Sequence, residues 1–202
     1  MNERLTALAS TLKAHGYSAT VFATAKEATA YLTESLAGCT VGVGGSITAR
    51  ELGLDTALPP ICELHWHWHP AEGKTAADEL AAAACAEVYI SSVNAIAESG
   101  EIVNIDGNCN RVASTIYGHR RVIFIVGRNK IAENEGAAIL RARNIAAPKN
   151  AARLGKKTPC VQSGICHDCH AEERICRAVS VLWYAPRGTD YEVLLIDEDL
   201  GY

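Results

Sequence analysis

Leu5, Leu8 and Leu12 recur at the three- and four-residue spacing of one helix face and Gly16 follows as a stop, so the chain opens with a helix. Tyr17 to Phe22 alternates as a strand does, and a second helix runs from about Lys26 to Leu36, ended by Gly38. Thr40 to Val43 is a short apolar strand that meets Gly44-Gly45-Ser46, with a short helix through Arg50 and Glu51 beyond it. Ile61 to His69 reads as extended, Lys74 to Glu87 as an alanine-rich helix, and Val88 to Ser92 as a buried strand. A turn at Glu98-Ser99-Gly100-Glu101 precedes the strand Ile102 to Ile105, and Asp106-Gly107 turns the chain into a helix from about Asn110 to Tyr117. Val122 to Val126 is the most apolar strand, and the helix after it, Glu133 to Ala146, is ended by Pro148. Val179 to Tyr184 and Tyr191 to Asp197 read as two further strands joined by a turn at Pro186-Arg187-Gly188.

Strands that alternate with helices predict one α/β domain over residues 1–202, with an open, mostly parallel sheet and helices on both faces. Residues 155–177 break that rhythm: they hold few large apolar groups and four cysteines, and are expected to form a small cysteine-rich lobe.

Composition narrows the function classes. The 202 residues are 49% hydrophobic and 21% charged, with a net charge of −4 and acids and bases interspersed. No basic footprint argues for nucleic acid, and no apolar run approaches a membrane span. Met1-Asn2-Glu3-Arg4 opens directly into a helical pattern without a leader, so the expected location is cytoplasmic. Eight cysteines in a reducing compartment are not expected to form a disulfide framework.

In open α/β sheets, ligands bind beyond the C-terminal ends of strands, and three such ends carry unusual polar residues. At the first, Gly44, Gly45, Ser46 and Thr48 offer backbone N–H groups and hydroxyls to an anion; the plainer reading is a tight turn with φ > 0. At the second, Asn94 follows Ser91-Ser92, Asn108 is placed to cap a helix, Asn110 stands beside it, and Arg111 is of the type that grips a carboxylate or phosphate. At the third, Asn129 and Lys130 follow the most apolar strand. His65, His67 and His69 alternate with Trp66 and Trp68, which on a strand puts three imidazoles on one face; an amphipathic strand burying two tryptophans is the favoured reading over a metal site. No nucleotide cofactor is inferred.

Cys160, Cys166, Cys169 and Cys176 make the strongest motif, with spacing C-x5-C-x2-C-x6-C. The Cys166–Cys169 pair has the spacing of a chelating knuckle, and the other two can complete a four-thiolate site. Zinc and an iron–sulfur cluster both accept four cysteines, and His167 and His170 keep mixed ligation open. Cys39, Cys62 and Cys85 read as buried small hydrophobes.

Several segments together resemble the LUD-domain family, which includes a lactate-utilisation protein: Gly44 to Thr48 through Glu51-Leu52-Gly53, Val93-Asn94-Ala95-Ile96, Glu98-Ser99-Gly100, Asn104 to Asn108 with Asn110-Arg111, Asn129-Lys130, Pro148 with Asn150, Arg153-Leu154, Thr158-Pro159-Cys160 and Leu200-Gly201-Tyr202. The chain looks closest to a branch with a C-terminal four-cysteine cluster. The resemblance implies a fold like ribose-5-phosphate isomerase and the CoA transferases, a small anionic metabolite (phosphate, carboxylate or CoA ester) as ligand, and separate iron–sulfur redox proteins as partners. A homo-oligomer is also among the expected assemblies. The resemblance further implies two catalytic candidates. Glu98 sits in a turn similar to the one presenting the nucleophilic glutamate of CoA transferases. Asn94 stands near where related isomerases place a catalytic aspartate, and an amide cannot replace that carboxylate as a base. Three functions are then in play: an accessory redox protein of lactate-like organic-acid use, an enzyme of CoA-transfer or isomerase type using Glu98, and a metal-stapled interaction subunit.

Overall fold

The computed structural model describes residues 2–202. The chain runs α1 (Glu3–Ala14), β1 (Ser18–Phe22), α2 (Ala25–Ser35), β2 (Thr40–Val43), α3 (Ile47–Glu51), α4 (Leu54–Ala57), β3 (Glu63–Trp66), α5 (Ala76–Cys85) and β4 (Val88–Ser92). It continues through β5 (Ala95–Ala97), β6 (Ile102–Asp106), α6 (Asn110–Ser114), β7 (Arg121–Gly127), β8 (Ile131–Ala132), α7 (Glu135–Arg141), α8 (Ala147–Arg153), α9 (Pro159–Ser163), β9 (Ala178–Leu182) and β10 (Asp190–Ile196).

Six strands form a fully parallel sheet in the order β1-β10-β7-β4-β2-β3. Because side chains alternate across a strand, its central members feed two cores. Val122, Phe124 and Val126 of β7 and Val193 and Leu195 of β10 pack toward Leu5, Leu8 and Leu12 of α1. Ile123, Ile125, Leu194 and Ile196 pack toward Ala28 and Leu32 of α2, Leu54 of α4 and Trp66. Both faces are thus covered, which is why these strands read as unbroken apolar runs rather than alternating ones.

The expectation of one sheet is corrected by a second, mixed sheet in the order β8-β5-β6-β9. Its β5 and β8 pair in parallel, while β6 runs antiparallel to both β5 and β9. One side of it joins α1 through Ile96 and Ile102. The other carries Ala95, Ala97, Val103 and Ile105 against Ala138, Ala142 and Ala147. The last two strands therefore form no hairpin: β9 closes the small sheet, and β10 inserts between β1 and β7 of the large one.

Two further expectations change. The helix after β7 does not stop before Pro148. It passes through a π-helical stretch, Ala142–Ala146, and restarts as α8, where proline occupies the first turn and its missing N–H goes unneeded. The strand expected to reach His69 ends at Trp66, in a turn closed by the His69 N–H donating to the Trp66 carbonyl at 2.8 Å.

Gly42 in β2 lets α5 lie directly on the sheet: a Cβ there would stand 2.4 Å from the Ala83 carbonyl oxygen. Gly42→Ala is expected to destabilise the fold by about 1–3 kcal/mol, because the obstacle is backbone rather than a mobile side chain. Urea denaturation measures this, and an unchanged midpoint would contradict the close α5–β2 packing.

Candidate functional site

The loops beyond β2, β3, β4 and β7 meet at the C-terminal edge of the large sheet, where β6, α6, α8 and the chain's last residues close a cavity of about 400 Å³. Gly45, Ser46, Thr48, Asn94, Asn108, Asn110, Arg111 and Lys130 all line it. The three polar strand ends singled out in the sequence do share one crevice. Gly44 and Asn129 stand just behind the lining, and Glu98 lies away from it.

The glycine turn works by close approach. Neither Gly44 nor Gly45 has a positive φ. A Cβ on Gly44 would lie 2.9 Å from the Tyr89 hydroxyl and 3.1 Å from Cγ of Arg111, so glycine there lets the Arg111 stem pass beneath the loop. Ser46 caps α3 by accepting the Ala49 N–H at 3.1 Å. That helix is only five residues long, so the positive potential of the site comes mainly from side chains.

Arg111 is partly buried and its N–H groups are mostly committed to neutral oxygens. It donates to the Ser92 carbonyl at 3.3 Å, the Ile105 carbonyl at 2.7 Å and Oδ1 of Asn94 at 3.2 Å, and also to Oδ1 of Asn104. Burial pulls its pKa down, partly opposed by Asp106. It therefore lends the cavity charge more than a free fork of donors. Asn94 holds this arrangement: its Oδ1 also accepts the Ile105 N–H at 2.7 Å. Asn108 is not the helix cap. Cys109 occupies that position with φ of 63°, and Asp106 receives the N–H groups of Asn108 at 3.3 Å and Val112 at 3.0 Å.

Lys130, at the third of the polar strand ends, is only 2% exposed. Its amine donates to Oγ1 of Thr48 at 2.7 Å and Oγ of Ser92 at 2.6 Å. The Ser92 hydroxyl donates to the Ile125 carbonyl at 2.7 Å and so accepts from the lysine, and Thr48 has the Leu200 carbonyl as a longer partner at 3.5 Å. Among the described residues no carboxylate forms an ion pair with Lys130. Burial, then Arg141 and Arg111, push its pKa down to about 7 against the opposing charge of Glu51.

Other lining residues carry no chemical signal in the sequence beyond the family resemblance, or read there as core. Asn129 fastens the C-terminal segment across the cavity, accepting the Leu200 N–H at 3.1 Å and donating to the Gly201 carbonyl at 3.2 Å. Tyr202 is thereby brought to Asn150 (3.2 Å) and Arg153 (2.9 Å), and Arg153 stacks over Trp68, 4.9 Å from the ring centroid. His67 faces the cavity with a buried, unpartnered Nδ1, and burial followed by Arg153 lowers its pKa. His65 instead turns inward, 3.0 Å from the buried Glu79, and His69 lies 3.9 Å from Asp55. The three imidazoles do not share a face, because the strand ends before the alternation does.

Glu98 is paired with Arg4 at 2.6 Å on the surface. As placed, it cannot present a nucleophile to the cavity, which corrects its expected position. The four cysteines of residues 155–177 gather without closing on one point: among the described residues no group of three or more His, Cys, Asp or Glu is arranged to hold a metal ion. They are nevertheless neighbours. Burial raises the Cys176 pKa, and the thiols of Cys166, Cys160 and Cys169 add to the effect against Arg174. Cys166 Sγ accepts the Asp168 N–H at 3.4 Å, in a turn where Asp168 takes φ of 46°, and Arg143 stands 3.7 Å from the same sulfur.

A lysine with a depressed folded pKa penalises folding while it must be charged. The unfolded chain binds the extra proton between about pH 7 and pH 10, so this penalty is full below pH 7 and fades as pH rises through that window. Lys130→Met is therefore expected to melt higher than the wild type at about pH 6, with the gap shrinking toward about pH 10. Melting curves across pH decide this, and a gap that widens with pH would mean the amine is stabilised as a cation.

No curated protein matches the chain. Among solved structures, a DUF162 family protein from Deinococcus radiodurans superposes with a TM-score of 0.56 at 13% identity, over 96% of each chain, which is a likeness of fold. The LUD domain matches residues 5–196, nearly the whole sequence, and the chain belongs to the LUD-domain family.

Proposed function

We propose that this protein serves lactate-type organic-acid utilisation, the process its family is linked to, by binding a small anionic metabolite in the cavity at the sheet edge. The observation that carries this reading is the buried amine of Lys130 beside the partly buried guanidinium of Arg111, whose direct partners are neutral oxygens. Buried charge without a counter-charge is costly, and an entering anion relieves that cost at both groups. Arg153 and Lys156 add to the same sign, and among the described residues Asp106 is the one acidic side chain on the lining. Its two oxygens are occupied by backbone N–H groups, so it sets the α6 turn rather than offering a base.

Accessory binding is favoured over the enzymatic alternatives. A CoA-transferase route needs a carboxylate in the cavity, and Glu98 is held outside by Arg4. An isomerase route through Asn94 meets an amide already engaged with Arg111 and Ile105. Isothermal titration with phosphate, lactate and pyruvate tests the reading. Arg153→Ala is expected to weaken the bound anion by about tenfold, the value of one charge-assisted hydrogen bond, and binding indifferent to this change would place the anion elsewhere.

A second part of the reading concerns the lobe. Cys160, Cys166, Cys169 and Cys176 are the donor set for one zinc ion or iron–sulfur cluster, which would supply a covalent staple or, as a cluster, one-electron chemistry alongside redox partner proteins. Support comes from the nearness of Cys166, Cys160 and Cys169 to Cys176, whose pKa burial and then these thiols push up, and from the lobe's poverty of core: α9 buries none of its residues and Ile165 is 55% exposed. The N–H contact on the Cys166 sulfur suits a thiolate. Cys169→Ser is expected to lower bound metal severalfold and to expose residues 155–177 to protease while the sheet stays folded. Elemental analysis of anaerobically purified protein with limited proteolysis checks both, and equal resistance in metal-free wild type would remove the staple.

A further inference from the structure

We infer that Lys130 is an imine-forming lysine, whose amine condenses with the carbonyl carbon of a small 2-oxo acid held in the cavity. This rests on the anion-binding reading above and adds a covalent step to it.

The hydrogen bonds accommodate the neutral form of the amine, which at a pKa of about 7 is populated alongside the charged one. A neutral primary amine has two N–H donors and one lone pair. The Ser92 hydroxyl is turned to the Ile125 carbonyl and the Thr48 hydroxyl has the Leu200 carbonyl at 3.5 Å, an arrangement in which both hydroxyls accept an N–H from the amine. The lone pair is then unengaged. A charged ammonium would carry a third N–H with no acceptor among the described residues. The same burial that removes water also holds the amine's pKa to about 7, so roughly half is nucleophilic at neutral pH, against about one in a thousand for a solvated lysine.

The surroundings select the partner. A carboxylate is matched by the charges of Arg111, Arg153 and Lys156 and by the Asn94–Arg111 wall. A neutral carbonyl compound would leave those charges unmatched, and an anion without a carbonyl would have nothing to offer the lone pair. The chemistry that satisfies both is a carbonyl carbon beside a carboxylate. The step balances without a further reactant. The nitrogen lone pair forms the C–N bond, the carbonyl oxygen takes up the two N–H hydrogens in the course of dehydration, and it leaves as water as the C=N bond closes. No electrons are gained or lost.

The test uses the full chain with pyruvate as the probe, reduced with sodium borohydride near neutral pH and followed by intact mass and peptide mapping. The expected result is one reduced pyruvate per chain on Lys130, exceeding labelling of any other lysine by roughly tenfold or more. Its yield should rise to half-maximum near pH 7. Lys130→Arg, checked for folding by its melting curve, should give no adduct. Parallel calorimetry separates the two ideas. Pyruvate or phosphate that binds without a Lys130 adduct overturns the imine and leaves the anion site standing. Failure of every anion to bind overturns the site itself. An adduct spread over surface lysines overturns the imine.

Discussion

The guanidinium of Arg111 is where the two sheets are joined. It rises from α6 and donates to the end of β4 through Ser92, to β6 through Asn104 and Ile105, and to the connecting residue Asn94. A partly buried charge of this kind cannot be left without hydrogen bonds, so those oxygens must stay in place. That requirement sets several others. Gly44 must lack a side chain so that the arginine stem can pass, Asn94 must be an amide with an oxygen to share, and Asp106 must close the turn that starts α6. A carboxylate at the Asn94 position would neutralise Arg111 from within, and the cavity would lose its pull on an anion.

Lys130 repeats this logic by a different route. Thr48 comes from α3, Ser92 from β4 and the lysine from beyond β7, so three strand ends must be in register before the amine has its acceptors. The C-terminal segment adds a fourth element. Gly201 has φ of +61°, and a Cβ on it would lie 2.5 Å from Oγ1 of Thr48 and 3.2 Å from the lysine amine. The Gly201 N–H also donates to Glu51. The cationic cavity is thus the product of tertiary assembly and of no single motif.

This explains which parts were legible in the sequence. The parallel strands were readable because burial on both faces leaves apolar runs such as Val122 to Val126 bounded by turns, and the polar strand ends were readable because a C-terminal sheet edge gathers them. The second sheet was not. Ala95–Ala97 and Ile131–Ala132 are too short to carry a period, and β9 and β10 look like a hairpin because only long-range pairing separates them. Pro148 misled because a proline in the first turn of a restarted helix has the same local signature as a stop. The burial of Lys130 carries no local sign, because it depends on residues far away in the chain. Glu98 was overweighted because a turn resembling a nucleophile's says nothing of where the turn points.

The cysteine lobe and the cavity meet on one helical path. Arg143 and Asn144 lie in the π-helical stretch, and they touch the lobe through the Cys166 sulfur at 3.7 Å and the Cys166 N–H at 3.1 Å. A little further along, Ala146 and Ala147 line the cavity, and Asn150 and Arg153 of α8 extend that lining. From the other side Lys156 and Ile175, near the two ends of the lobe, complete the same wall, and a Cβ on Gly107 would come within 3.0 Å of the Ile175 carbonyl oxygen. A π turn widens the helix by one residue and rotates its later turns relative to its earlier ones. At this position it allows one face of the path to grip the lobe while the next turn faces the ligand. Lys156 is itself tied to α8 by its N–H donating to the Ala151 carbonyl at 3.0 Å, so the helix that lines the cavity also sets positive charge on the cavity's outer wall.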